Sequence, residues 1–118
     1  MTDALTRIRH AALELPETEE RLSHGQPTFF VAGKQFAQFR DNHHGDSKTV
    51  LCVRVSSLDE QAILLEADPA TYSRPAYLPS WVSINVAGNN VDWDHVGDRI
   101  AASWELAAPR RLLEAGGR

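Results

Sequence analysis

The chain has 118 residues, 42% of them hydrophobic, and this predicts one globular domain over residues 1–118 that needs no disulfide or structural metal. Its 12 basic and 16 acidic residues give a formal net charge of −4, which argues against a strongly basic nucleic-acid-binding protein. The single cysteine excludes a disulfide framework and a cysteine-ligated zinc site. With no signal-like N-terminus and no run near the roughly 20 apolar residues of a membrane span, we expect a cytoplasmic protein with no membrane partner.

The first elements are predicted to be a helix and a β-hairpin. Pro16 ends the helix because proline lacks a backbone donor, and the acidic stretch 17–20 then lies outside it. Aromatic and β-branched residues at 28–31 and 35–40 predict two strands joined by a tight turn, where Gly33 supplies a positive φ angle. The helix has one apolar face, whose residues recur at spacings of three and four: Leu5, Ile8, Ala12 and Leu15.

A third strand is expected from Lys48 to Val55, because apolar residues alternate there. Its core side carries Thr49, Leu51, Val53 and Val55, and the opposite side carries Lys48, Val50, Cys52 and Arg54. Apolar residues on an open sheet face are often covered by a second subunit, so Val50 and Cys52 favour a homodimer. The alternative is that they are single exposed groups, or are covered by loops of the same chain. Cys52 is interpreted as structural rather than nucleophilic.

The second half of the chain predicts a helix, a proline-rich irregular segment, a strand and a final helix. Ser57 and Glu60 have the spacing of a capping box, and the helix that follows ends before Pro69. The strand covers 81–86, and Asp92 caps the last helix. The second helix is expected to bury Leu58, Ala62 and Leu65, and the last helix Trp93, Val96, Ile100, Trp104 and Ala107, before Pro109 breaks it.

This order of elements predicts an α+β fold, since strands joined by short turns pair antiparallel and helices with one apolar stripe pack on one sheet face. Residues 21–58 hold 5 basic and 2 acidic residues, a local charge of +3 within the chain of −4. The hypothesis of a basic sheet surface rests on this segment. Scattered cations on a solvated sheet are the competing interpretation. The residues proposed to contact phosphate are Lys34, Arg40, Lys48 and Arg54.

Two groups of residues are candidate chemical sites. His43 and His44 are metal-ligand types, but adjacent residues of an extended chain point in opposite directions, so a solvated turn is favoured and no metal is predicted. A candidate pocket for a small ligand is formed by His24, Tyr77 and Trp81, and Trp81 is the tryptophan that could stack on a base. No paired carboxylates or catalytic triad can be placed, so we expect no enzyme, no catalytic residues and no cofactor.

Six segments follow one another in a characteristic order and spacing over nearly the whole chain: Leu15-Pro16-Glu17-Thr18-Glu19-Glu20, His24-Gly25-Gln26-Pro27-Thr28-Phe29, Gly33-Lys34-Gln35-Phe36-Ala37, Pro75-Ala76-Tyr77-Leu78 with Trp81-Val82, Val91-Asp92-Trp93, and Ser103 through Arg111. Together they resemble the MmcQ/YjbR-like proteins. The resemblance implies three helices against one face of a five-stranded antiparallel sheet, in the order α-β3-α-β2-α, similar to secretion chaperones. Trp104 departs from the family pattern, which favours Tyr there.

The resemblance also implies a function. Proteins of this family are described as DNA-binding through a double-wing arrangement of strands and loops. We therefore expect a small cytoplasmic accessory or regulatory protein that contacts DNA through its sheet face and loops. The alternative is a non-enzymatic protein-interaction module or homodimer that uses the open sheet face.

Overall fold

The computed structural model describes residues 3–42 and 48–115. The elements in these ranges are α1 (Ala4–Leu13), β1 (Thr18–Ser23), β2 (Gln26–Val31), β3 (Lys34–Asp41), β4 (Thr49–Arg54), α2 (Leu58–Ala67), β5 (Tyr72–Ser73), β6 (Trp81–Asn85), α3 (Trp93–Ala107) and α4 (Arg110–Glu114). All strands pair antiparallel in one sheet of order β1-β2-β3-β4-β6-β5. The α+β class is confirmed, but the expected five strands and three helices are each one too few. Within these ranges, no helix has the length and apolar character required to span a membrane.

The additional strand is β1, which contains most of the acidic stretch that was expected to lie between elements. Its register places Glu20 opposite Phe29 of β2, on the sheet face covered by the helices. The Arg9 guanidinium of α1 donates to both Glu20 carboxylate oxygens, at 2.9 and 3.1 Å from Nε. β1 has no apolar alternation because it is an edge strand whose side chains meet water and a cation, so the hydrophobic pattern did not reveal it.

The hairpin between β2 and β3 is confirmed. Ala32 and Gly33 form its two-residue loop, with φ angles of +49° and +83°. Positive φ at both positions is the geometry whose twist matches that of the flanking strands. The register shifts between Phe29 and Phe30, so that Phe36 of β3 is an extra residue in the ladder, and its side chain is fully buried in the core.

The core lies between the sheet and two of the helices, α1 and α3. The predicted inward residues Ile8 and Ala12 of α1 are buried, as is most of the predicted stripe of α3. Trp104 is fully buried, and its indole N–H donates to the carbonyl of Pro16 at 3.1 Å. This bond ties α3 to the segment that leads into β1. The largest fully buried side chains are Trp104, Phe29, Phe36, Ile8, Leu51, Ile84 and Ile100.

The start of α2 is confirmed, but its inward side is not the predicted one. The Ser57 hydroxyl accepts from the Glu60 backbone N–H at 3.1 Å, as a capping box requires. Leu58 is 59% exposed, whereas Gln61 is buried and its side-chain amide donates to the carbonyl of Trp81 at 2.7 Å. Apolar residues occur around the whole of α2, so periodicity alone did not select its inward side. The exposed residues Leu58 and Ala62 correct the prediction, while Leu65 packs on the core.

The sheet face away from α1 and α3, here called the polar face, is not open in its centre. Cys52 lies on this face and is fully buried, which excludes the alternative that it is a single exposed group. The irregular residues 74–80, here called the 74–80 segment, lie over this face. Arg40 donates to the carbonyl of Ala76 at 3.3 Å, and the Val55 backbone N–H donates to the carbonyl of Ser80 at 3.0 Å. The chain therefore covers its own sheet, which is one of the alternatives considered above.

Candidate functional site

The polar face carries a row of small and polar side chains that crosses the whole sheet. Gln38 of β3 is central to it, and its side-chain amide donates to the Thr28 hydroxyl at 3.0 Å. Farther along, Cys52 Sγ and Ser83 Oγ are 3.5 Å apart. Buried polar groups need such partners to offset the loss of water. The registers place in this row Arg21, Thr28, Gln38, Cys52, Ser83 and Ser73.

Arg40 lies on the polar face and is only 8% exposed. Its Nε donates to Gln38 Oε1 at 2.8 Å, and one terminal nitrogen donates to the Ala76 carbonyl at 3.3 Å. A guanidinium has five N–H groups, so three remain without a partner within 3–42 and 48–115. No carboxylate in those ranges pairs with this cation. Because a buried charge is costly unless it is paired, Arg40 is a favourable position for an anion.

A cleft of about 420 Å³ opens beside Arg40 between the polar face and the 74–80 segment. This volume falls within the usual range for small-ligand sites, roughly 300–1,000 Å³. Tyr77 lies at the rim of the cleft and is 86% exposed. The cleft is lined by Ser23, His24, Gln35, Gln38, Arg40, Tyr77 and Leu78.

The candidate pocket residues are thus brought together only in part. His24 and Tyr77 line the same cleft, but Trp81 is not in its lining. Trp81 is 4% exposed, and the Arg54 guanidinium lies 5.0 Å from the centre of its ring. The burial of this ring excludes it as a stacking surface for a base, which corrects the suggestion made from the sequence. Tyr77 is the aromatic side chain at the cleft that can stack.

Backbone strain accompanies the cleft. His24 and Tyr77 have φ angles of +52° and +64°, in the left-handed region that non-glycine residues rarely occupy. Such conformations cost on the order of 1–3 kcal/mol and tend to occur at functional sites. Ser80, which ends the 74–80 segment, has a φ of +59°. His24 belongs to the two-residue turn between β1 and β2, where a positive φ is the usual geometry, so the strain lies in the covering segment at Tyr77 and Ser80.

The four predicted phosphate-contacting residues do not form one patch. Arg54 shares the polar face with Arg40, donates to the carbonyl of Gln35 at 2.8 Å, and has a pKa lowered by burial. On β4, Val50 lies beside Arg40, and Arg54 is four positions farther along the strand, a distance of about 13 Å. Lys34 is exposed at the β2–β3 hairpin, and Lys48 is exposed just before β4, at the opposite end of these strands. Lys48 is two positions before Val50 and Arg54 is four positions after it, so along the strand direction Lys48 is the cation nearer to Arg40 and Lys34 is the remote one.

One contributor to the polar face was missed in the sequence. Arg21 of β1 lies on this face, and its guanidinium is 4.1 Å from the centre of the Phe30 ring. It could have been found only after β1 was recognised as a strand, since its direction follows from the strand register. Glu19 is the one acidic residue that the described strands place on the same face.

The histidine pair His43 and His44 lies outside the described residues. In the part of the chain that the structure describes, no three side chains of histidine, cysteine, aspartate or glutamate are grouped so that they could hold a metal ion.

Comparison with known proteins identifies the family. The model of the YjbR family matches residues 13–106, a range that contains every residue lining the cleft. The chain belongs to the YjbR family. The resemblance seen in the sequence is thereby confirmed. No protein among those with curated descriptions matches this YjbR-family chain.

A solved structure supports the fold. The crystal structure of the Deinococcus radiodurans protein DR2400, described with the family domain DUF419, has a TM-score of 0.73 against this YjbR-family chain. The two are 19% identical, and the similarity covers 94% of this chain and 82% of that chain. At this identity the likeness concerns the fold alone.

Proposed function

We propose that this YjbR-family protein is a small, non-enzymatic, cytoplasmic accessory protein that binds nucleic acid at the cleft on its polar face. The observation that carries the proposal is Arg40, a buried guanidinium that borders the cleft and has no carboxylate partner within 3–42 and 48–115. Arginine pairs with phosphate through parallel hydrogen bonds, which suits the N–H groups left over by Gln38 and Ala76.

The residues around Arg40 supply complementary contacts for a strand. The exposed ring of Tyr77 can stack on a base, a contact that tolerates any base because each has a π face. Arg54, about 13 Å farther along the same face, offers a second cation for the backbone of that strand. Lys34 adds only long-range attraction, because it lies at the β2–β3 hairpin, whereas Lys48 lies two positions from Val50 and so at the same end of the strands as Arg40. The proposed contact is therefore local and centred on one nucleotide.

The test is a binding titration with fluorescent single-stranded DNA and the matching duplex at low ionic strength. We expect Arg40→Gln to weaken binding about tenfold or more, the loss of at least about 1.4 kcal/mol expected for a charged hydrogen-bonding group. Tyr77→Asn removes the ring while tolerating the left-handed backbone, and should weaken binding several-fold. Arg110→Gln is the matched control, since that side chain is 89% exposed on α4.

Two outcomes oppose the proposal. Wild-type protein that binds neither DNA form at low salt removes it, as do Arg40→Gln and Tyr77→Asn variants that both bind like wild type. A thermal melt of each variant separates loss of contact from loss of the fold, and Arg40→Lys, which keeps the charge, should retain part of the affinity.

The alternative function, a protein-interaction module or homodimer that uses an open sheet face, lacks its expected surface. The 74–80 segment lies over part of the polar face, and of the two apolar residues that favoured the alternative, Cys52 is fully buried and Val50 is half-buried.

A further inference from the structure

We infer that the cleft selects a phosphomonoester, such as the phosphorylated end of a single strand or a mononucleotide, over the internal phosphodiesters of a strand or a duplex. The inference rests on the proposed function for the source of the ligand. It goes further in naming the group that Arg40 receives and the form of nucleic acid that can present it.

The first argument is access. With 8% of Arg40 exposed, the cleft that this side chain lines is the route by which a phosphate reaches the guanidinium within the described part of the chain. One wall is the 74–80 segment, held by Arg40 to the Ala76 carbonyl and by Val55 to the Ser80 carbonyl. The other wall is the β1–β2 turn at His24. An internal phosphodiester carries chain on both sides and needs room for both flanking nucleotides, whereas a terminal phosphate needs room for chain on one side only, which a cleft of about 420 Å³ provides more readily.

The second argument is charge and hydrogen-bonding capacity. A phosphomonoester carries close to two negative charges at neutral pH and has three terminal acceptor oxygens. Arg40 keeps three N–H groups without a partner in the described ranges, and Ser23 and His24 add polar side chains to the lining. None of the described residues that line the cleft is acidic, so none of them repels a dianion. The lining therefore suits the more highly charged group.

The third argument is size. A cleft of about 420 Å³ lies at the small end of the range for ligand sites and suits one nucleotide unit. Tyr77 at the rim places an aromatic surface beside the entrance, while Arg40 lies deeper. This order matches a nucleotide that enters phosphate first and leaves its base at the rim. The cleft thus fits an end rather than a passing strand.

The experiment compares DNA molecules that differ only in their ends. Fluorescence anisotropy is measured with one oligonucleotide in four forms: 5′-phosphorylated, 3′-phosphorylated, with two hydroxyl ends, and closed into a single-stranded circle. Unlabelled nucleoside monophosphate and the corresponding nucleoside serve as competitors. We expect a phosphorylated end to tighten binding at least tenfold over the hydroxyl and circular forms, and the monophosphate alone to compete.

Variants assign the preference to Arg40. Arg40→Gln should abolish the difference between phosphorylated and hydroxyl ends, and Arg40→Lys should restore part of it. Arg54→Gln is the matched control: it should weaken all linear forms similarly and keep the preference, because Arg54 is not in the cleft lining. Melting curves confirm that each variant is folded before its binding is compared.

The outcomes separate the two proposals. Equal binding of circular, hydroxyl-ended and phosphorylated strands overturns the inference and leaves the proposed function standing. A monophosphate that binds with Arg40-dependent affinity while no oligonucleotide binds supports the phosphomonoester site and overturns the proposed function. If neither the oligonucleotides nor the monophosphate bind, both proposals fall.

Discussion

Ser103 is a small residue at which three elements meet. Its hydroxyl donates to the carbonyl of Phe36 at 2.6 Å and accepts the backbone N–H of Arg54 at 2.8 Å, and the residue is fully buried. Phe36 lies where the β2–β3 ladder is irregular, so its carbonyl is hydrogen-bonded by the Ser103 hydroxyl rather than by a neighbouring strand. A helix residue thus completes the hydrogen bonding of β3 and β4.

Ser103→Ala should therefore destabilise the protein by about 1–3 kcal/mol, the cost of leaving buried polar groups unsatisfied. Urea denaturation monitored by tryptophan fluorescence measures the change. Ser56→Ala is the control, since Ser56 is exposed and should lie within about 0.5 kcal/mol of wild type. A Ser103→Ala variant as stable as the control would show that water or a backbone shift replaces the hydroxyl.

At the scale of elements, the β2–β3 hairpin has a loop of Ala32 and Gly33 where a turn with two positive φ angles favours Asn-Gly. Asn tolerates the left-handed region better than Ala, so Ala32→Asn should stabilise the protein by about 0.5–1 kcal/mol. Gly33→Ala should destabilise it by about 1–2 kcal/mol, because the φ of +83° strains the backbone even though the space around the residue is open. Denaturant midpoints of both variants measure these effects, and changes of the same sign would contradict the assigned turn.

A second element-scale prediction concerns α4, which is tied to the segment before β1 by one ion pair. Arg111 donates to both carboxylate oxygens of Glu17, at 2.6 and 2.8 Å, and this hydrogen bonding lowers the pKa of Glu17 below 4.5. A carboxylate with a lowered folded-state pKa stabilises the fold above its unfolded pKa, and this contribution is lost as pH falls through the folded pKa.

Glu17→Gln should consequently lower the melting temperature at pH 7, and the difference from wild type should shrink as the pH is brought below about 4. Differential scanning calorimetry across pH 3–7 provides the measurement. Glu66→Gln, at an exposed position of α2, controls for the general effect of removing a carboxylate. A difference that stays constant over this range would mean that the pair does not contribute through its charge.

How much of this architecture the sequence predicted depended on how local the cause was. The caps at Ser57 and Asp92 were predicted correctly, because a capping side chain and the backbone N–H that donates to it lie three residues apart. β1 was missed because its pairing partner and the cation that holds Glu20 lie elsewhere in the chain. The inward side of α2 depends on Gln61 meeting the carbonyl of Trp81, 20 residues away. Contacts of that range leave no periodicity in the sequence.

The same reasoning applies to the candidate site at the scale of the whole molecule. Strand alternation indicated that Lys48 and Arg54 share a side of their strand, and Arg40 proves to lie on the same face. It did not indicate that Arg40 is buried, because that results from the 74–80 segment, whose Ala76 is 36 residues away. The split between a local charge of +3 and a total of −4 pointed to this region. It did not distinguish the cation in the cleft from those at the strand ends.

The small number of cations in the proposed contact leads to a prediction about how binding depends on salt concentration. A protein that contacts a single strand through Arg40 and Arg54 neutralises about two phosphates. The logarithm of the binding constant should therefore fall with the logarithm of the salt concentration at a slope of about −1.4. Arg54→Gln should reduce the slope by about 0.7, whereas Arg110→Gln should leave it unchanged. Binding measured from low to moderate salt gives these values. A slope several times steeper would indicate a broad basic surface rather than a local contact.

Cys52 allows the local opening of the covered sheet face to be measured as a rate. It is the chain's single cysteine, fully buried on the polar face that the 74–80 segment borders. A thiol reagent reaches it only when the protein opens locally, so the labelling rate counts opening events. We expect Arg40→Gln, which loses the bond to Ala76, to accelerate labelling, and an occupied cleft to slow it. Ordinary bench spectrophotometry would then follow the motion of the segment and report ligand capture without any attached dye.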